Sequence, residues 1–250
     1  MEPKIIYQDD SIFVIDKPSG WITNEAETTT TQPVLQSWVR ENFDYPLKGN
    51  GEMRDGVVHR LDKETSGIVI IAKTKEAFEK LQAEFKNREV EKTYIALLHG
   101  KLEPETGEIK VTVGRLPWRR DRFGVIAGGR ESLTLYKVLR FYPGNNGGHS
   151  LVEFFAAERG GYSLVEFSPK TGRTHQIRIH AKHIGHAIVG DEFYAGRKTS
   201  RNDRKWCPRL FLHAASIKFI HPATGEAVEF KSSLSQDLET TLHAIAPHLH

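Results

Sequence analysis

Eight short apolar stretches, each closed by a turn, leave this chain few architectures to choose from. KIIYQ (4–8), SIFVID (11–16), GIVIIAK (67–73), TYIALLHG (93–100), SLTLYKVLRFY (132–142), YSLVEF (162–167) and FLHAASIKFI (211–220) alternate or run continuously apolar. Gly225 turns HPATGEAVEF (221–230) into one more strand. Strands that succeed one another through turns pair antiparallel. Helical spacing is confined to three segments. VLQSWVRENF places Pro33 as a first helical residue. KEAFEKLQAEFKNR (75–88) sets Phe78, Leu81 and Phe85 on one face, and SQDLETTLHAI (235–245) is amphipathic. The predicted fold is α+β: a mainly antiparallel central sheet with flanking helices. ITNEAETTTTQ (22–32) and FYPGNNGGHS (141–150) read as loops. SLVEF occurs twice, at 150–154 and 163–167, which a hairpin of two similar strands explains most simply.

At 250 residues the chain fits one large domain, or two tightly fused halves, and a single domain over 1–250 is expected. It has no run of about 18 apolar residues, so no membrane helix is expected. MEPKIIYQDD lacks the basic and then apolar regions of a signal peptide. Cys207 is the sole cysteine, which excludes an internal disulfide and fits a reducing, cytoplasmic setting.

Net charge is only +3, but it is unevenly distributed. Residues 115–130, 170–182 and 195–209 carry +4, +4 and +5, which leaves −10 on the other 206 residues. Positive charge concentrated on a mildly acidic body is the pattern of a polyanion-binding surface, as opposed to solvated loops rich in arginine. Trp118, Phe123 and Trp206 lie within two of these segments, where they could stack on bases.

Several chemistries lack their motif. No phosphate-cradling GxxxxGK[ST] or GxGxxG is present, and neither HExxH nor GxSxG occurs. His175, His180, His183 and His186 fall close together, yet Arg178 and Lys182 between them would repel a cation, and no metal site is expected. Ser66, following a turn, is expected to bond backbone. What stands out is Asp62, set among His59, Arg60 and Lys63 in HRLDKETSG (59–67). Opposite charges nearby favour the ionised carboxylate. Such a residue is either an ordinary surface ion-pair partner or a nucleophile or base held ready.

HRLDKETSG resembles the active-site motif of the RluA-type pseudouridine synthases, and other segments agree in order. DKPSG (16–20) is similar to that family's short early motif, and EKTYIALLHG (91–100) to the segment bearing its active-site tyrosine. TGRTHQIRIH (171–180) with IGHAIVGDEFY (184–194) resembles its basic-residue motif and following loop. RLFLHA (209–214) with HPATGE (221–226) resembles its C-terminal signature. The resemblance runs from about Ile5 to Leu242 and implies the pseudouridine synthase fold with a basic active-site cleft, as a stand-alone catalytic domain without the N-terminal S4-type RNA-binding domain. It puts the nucleophilic aspartate on Asp62, the tyrosine on Tyr94 and the basic partner on Arg178. The apolar residue bordering the base falls on Leu212, with Leu210 the alternative. His59 and Arg60 would brace RNA at the target uridine. Lys17, Arg173, His175, Gln176, Arg119 and Arg120 would join them as RNA contacts.

The implied reaction breaks N1–C1′, turns the base and joins C5 to C1′. Nothing is oxidised or hydrolysed, so no cofactor is called for. Asp62 would supply an anion beside C1′ and C2′, and Arg178 would keep it ionised where burial alone would raise its pKa above about 3.9. Tyr94 would offer a ring face to uracil and a hydroxyl near C5. The target must be flipped out of its stack. Attack on C1′ and removal of a C2′ proton to give a glycal are the two open routes, with attack on C6 a less favoured third. The expected partner is tRNA or rRNA, with no membrane and no nucleotide cofactor, and the expected state is a monomer. The alternative is an RNA-binding protein that keeps the fold without turnover. Singly, Asp62, Tyr94 and Arg178 have ordinary readings as a surface ion pair, a core aromatic and a solvated helix face. Their joint pattern sets those readings aside.

Overall fold

The computed structural model describes residues 1–26, 31–143 and 160–245, the side chains of Arg120 and Asp121 excepted. The first SLVEF copy and most of the 141–150 segment lie outside the described residues. The strands are β1 (Lys4–Gln8), β2 (Ile12–Lys17), β3 (Ser66–Ala72), β4 (Glu91–His99) and β5 (Thr106–Leu116), then β6 (Arg119–Val125), β7 (Arg130–Tyr142), β8 (Tyr162–Pro169), β9 (Leu212–Ile220) and β10 (Ala227–Lys231). The helices are α1 (Leu35–Asn42), α2 (Lys75–Asn87), α3 (Gln176–His183), α4 (Arg197–Asp203) and α5 (Gln236–Ile245). Among the described residues no helix is long and apolar enough to cross a membrane. Two compact units result: Met1–Lys92 with His213–Ser233, and Thr93–Leu212 with Leu234–His250.

In the first unit β2 pairs antiparallel with β1 and with β3, and β10 pairs antiparallel with β9. The antiparallel rule is broken where β3 meets β9 in parallel, Ser66 opposite His213 and Gly67 opposite Ala214. All seven residues of β3 are buried, which is why SGIVIIA runs continuously apolar instead of alternating. Gly67 is required by this junction. Its φ is +111°, and a Cβ there would lie 2.2 Å from the Ala214 carbonyl oxygen. Thr74 caps α2 by accepting from the Ala77 amide at 3.2 Å, and Phe78 and Leu81 of α2 are buried as the spacing predicts. Pro33 is not the first helical residue: α1 begins at Leu35, with extended Val34 as its N-cap.

The second unit holds an antiparallel sheet in the order β4-β8-β7-β5-β6. Its core gathers Leu97, Leu98, Val165, Phe167, Ile188, Phe211 and Leu238, with Trp206 packed against it. The α+β class with mainly antiparallel sheet and flanking helices is as predicted. The hairpin β5–β6 and the helices α3 and α4 fall outside the stretches that apolar spacing picks out. β5 and β6 dilute their apolar positions with arginine and glycine, so the period of two is faint. α3 buries six of its eight residues, among them Gln176, Arg178 and His180, so a polar sequence hides a buried helix.

Candidate functional site

In the first unit, HRLDKETSG leaves a short 3₁₀ turn (Arg54–Gly56) and enters β3. The backbone on both sides of Asp62 is clamped. Before it, the buried Thr23 hydroxyl accepts from the Leu61 amide at 3.1 Å and donates to the Leu61 carbonyl at 3.0 Å. After it, the Lys63 carbonyl accepts from the Gly20 amide at 2.9 Å and from Lys17 Nζ at 3.3 Å. Thr65 N–H donates to the Asp62 carbonyl at 3.1 Å, which closes the turn. The Asp62 side chain, half-buried, therefore stands on a fixed backbone.

Lys17 is placed differently from the sequence expectation of an RNA contact. It is fully buried, and Nζ also donates to the carbonyls of Pro18 (3.1 Å) and Trp21 (2.9 Å). A buried ammonium needs all three of its donors satisfied, and this one closes the DKPSG turn around them. His59 is likewise turned inward. Its Nε2 accepts from the Ile70 amide at 2.9 Å, and its ring stacks on Phe85 at 4.8 Å. Burial, and secondarily Lys92, push its pKa down to about 3, so it is neutral at pH 7. Arg60 and Lys63 are exposed, and they are the cations that flank Asp62. Ser66 bonds a side chain: its Oγ donates to His213 Nδ1 at 2.9 Å, and His213 Nε2 donates to the Ser232 carbonyl at 3.1 Å. That chain rivets the β3–β9 junction four residues beyond Asp62.

In the second unit, Tyr94 is half-buried on β4 opposite Phe167 of β8. Arg178 projects from α3, which opens at His175 in the left-handed region (φ 57°). Its Nε and one terminal nitrogen both donate to Asp191 at 2.8 Å, and its guanidinium lies over the rings of Phe193 and Tyr194. Asp191 is fully buried and also accepts from the amides of Phe193 (2.9 Å) and Tyr194 (3.1 Å). The carboxylate thus fixes both the guanidinium and the loop beside it. The His175 ring donates from Nδ1 to the Tyr194 hydroxyl at 2.9 Å, which donates to the Phe123 carbonyl at 3.1 Å. Arg173 is half-buried, with Nε on the Glu131 carbonyl. Gln176 corrects the expectation of an RNA contact. Its amide is saturated by Thr171, the Arg173 amide, the Leu133 carbonyl and Thr134. Leu212 and Leu210 are both buried in the core of this unit. Asp191 and Thr23 carry no signal of their own in the sequence, because one follows an apolar run and the other opens a polar loop.

The three basic segments meet different fates. Arg119 is exposed next to Trp118, itself 73% exposed at the β5–β6 turn. The side chain of Arg120 lies outside the described residues. Phe123 is half-buried under Arg115. Trp206 is no stacking platform: it packs on Tyr162 at 5.1 Å within the core. The histidines also scatter. His180 bonds Ser132, with burial and then His183 pushing its pKa down to about 4, while His186 donates to the His99 carbonyl. Among the described residues no three His, Cys, Asp or Glu side chains gather to hold a metal ion.

The RNA pseudouridylate synthase family matches this chain over residues 11–183. An "Uncharacterized RNA pseudouridine synthase" of Chlorobaculum parvum is 37% identical over 257 residues, 96% of this chain and 73% of that protein. "Ribosomal large subunit pseudouridine synthase D" of Pseudomonas aeruginosa is 34% identical over 245 residues, 95% of this chain and 70% of that one. Among solved structures, Human RNA Pseudouridylate Synthase Domain Containing 1 superposes with a TM-score of 0.69 at 25% identity, covering 97% of this chain and 94% of the other.

Proposed function

The chain belongs to the RNA pseudouridylate synthase family, and from that premise we propose that Asp62 is the anion with which it isomerises particular uridines of structured tRNA or rRNA. The general activity, uridine to pseudouridine in RNA, follows from the family. The choice of Asp62 rests on one observation above the rest: its backbone is tied on both sides by buried groups while the residue itself is only half-buried. A nucleophile or base must be held to within a fraction of an ångström of its reacting atom, and a loop braced in this way meets that demand. The carboxylate acts at the ribose, on C1′ or on the C2′ proton, as N1–C1′ breaks. Tyr94 presents its ring to the flipped base and its hydroxyl to C5, where the last proton leaves. Arg178, oriented by Asp191, is taken as the cation that the reaction needs. Arg60 and Lys63 hold the distorted strand. The proposed setting is the cytoplasm, and the proposed state a monomer.

The test is tritium release from RNA labelled at C5 of uridine, with rRNA and tRNA transcripts assayed separately. The ribosomal pool comes first, since the Pseudomonas aeruginosa relative is named for it. Wild-type protein should release tritium from one pool, and Asp62→Asn should bind that RNA but release none. Turnover retained in Asp62→Asn would remove Asp62 from this role.

A further inference from the structure

The basic segment 195–209 folds into a feature that the isomerisation does not use. α4 (Arg197–Asp203) buries Ser200 and Asp203, and turns Arg197, Lys198 and Arg201 to solvent. At about 100° per residue, these three cations and Lys205 just beyond the helix fall within a single arc. The helix is pinned from beneath. Asp203 accepts from His99 Nε2 at 3.1 Å and from the Gly190 amide at 3.0 Å. Arg204 donates to the carbonyls of Gly190 (3.1 Å) and Pro208 (2.8 Å), and lies 3.5 Å from Glu192. Glu192, Arg197, Ser200, Arg201 and Arg204 line an open cleft of about 400 Å³.

Glu192, the one acid of that cleft, is engaged with Arg204. Arg197 and Arg201 form no ion pair or side-chain hydrogen bond among the described residues. Like charges at i and i+4 repel by about 0.2–0.5 kcal/mol, and among the described residues no acid lies within ion-pair distance of either arginine. An external anion would relieve that repulsion. Two guanidiniums one helical turn apart, about 5–6 Å between their Cβ atoms, suit consecutive phosphates of one strand. The cleft has no aromatic lining. Sites for single strands rely on aromatic stacking, whereas an RNA double helix is recognised by shape and by phosphate and ribose contacts.

We propose that α4 is a docking helix for the phosphate backbone of a double-helical arm of the substrate RNA, with Arg197 and Arg201 each taking one phosphate. The proposal rests on the reading of the protein as an enzyme of structured RNA, and narrows its substrates to RNAs that carry such an arm beside the target uridine.

The experiment compares wild type with the Arg197→Gln/Arg201→Gln double variant, both surface positions, by fluorescence anisotropy across a salt series. The probes are a stem-loop RNA and an unstructured oligouridine of equal length. For the stem-loop, the slope of log K against log salt should become shallower by about two in the variant, one per lost phosphate contact. Over a fourfold rise in salt the wild type should therefore lose about tenfold more affinity than the variant does. Oligouridine binding should be the same in both proteins, and Arg197→Lys/Arg201→Lys should keep the wild-type slope. An unchanged slope, an equal change on oligouridine, or a wild-type protein that does not bind the stem-loop overturns the proposal. Tritium release, read in parallel, separates the two ideas: failure of all RNAs to react refutes the function, while the binding slopes decide the helix.

Discussion

Replacing Thr23 by valine removes one hydroxyl and almost no volume, yet it strikes the backbone one residue before Asp62. That hydroxyl is the hydrogen-bond partner of both the amide and the carbonyl of Leu61, and Thr23 is only 1% exposed. In Thr23→Val both backbone groups are left without this partner, beside an apolar methyl. An unsatisfied buried polar group costs about 1–3 kcal/mol, so the two together should cost about 2–6 kcal/mol, toward the lower end if a water enters. For a chain of this size, each kcal/mol lowers Tm by about 2–4 °C. A drop of roughly 5–10 °C in differential scanning calorimetry is expected from a loss of about 2.5 kcal/mol. The second readout is tritium release. If the clamp fixes Asp62, kcat should fall tenfold or more while KM for the RNA moves little, because Thr23 makes no part of the RNA surface. A variant that loses the expected stability but keeps kcat would show that the clamp serves folding alone. A variant that loses neither would refute the pair of bonds.

Three further outcomes follow from other contacts. Asp191→Asn should cost about 3–5 kcal/mol by leaving the buried Arg178 guanidinium without its carboxylate, and urea unfolding would measure it. His59 and His180 take up a proton near 6.5 when unfolded but only near 3 and 4 when folded, so acid favours the unfolded chain. Stability should fall by about 1.4 kcal/mol per pH unit for each imidazole as pH drops from about 6.5 toward 4, and His59→Gln should remove its share of that slope. Tyr94→Phe keeps the ring face and should slow the C5 proton loss at least tenfold with RNA affinity unchanged; full activity would exclude the hydroxyl as the essential base.

Much of the fold was legible because its strands are dense in apolar residues. β2 and β3 are buried almost throughout, and their sequences read accordingly. α3 was not legible, since its burial is achieved by pairing polar groups: Gln176 with four partners, Arg178 with Asp191, His180 with Ser132. Spacing of apolar residues cannot report a helix stabilised in that way. HRLDKETSG marked its own importance by its charges, but the Thr23 hydroxyl and the Gly20 amide that brace it, and the Asp191 carboxylate that holds Arg178, come from other segments. Contacts of that kind exist only after folding.

The cations separate into two populations that a count of charge along the chain merges. Lys17, Arg178 and Arg209 are at most 5% exposed and are engaged with carbonyls or carboxylates of the protein. Desolvating them without those partners would cost several kcal/mol each, so each is held in a fixed geometry. Arg60, Lys63, Arg119, Arg197, Lys198 and Arg201 are exposed, where an ion pair is worth little to the fold and a polyanion can displace counterions. The basic character around Asp62 divides in the same way: His59 is neutral and packed on Phe85, while Arg60 and Lys63 face solvent. Substituting a member of the first population should therefore lower stability and leave the salt slope of RNA binding intact, and substituting one of the second should do the reverse. Asp62 has a member of each beside it: its backbone is braced by buried Lys17, and exposed Arg60 and Lys63 are the cations that a phosphate would meet.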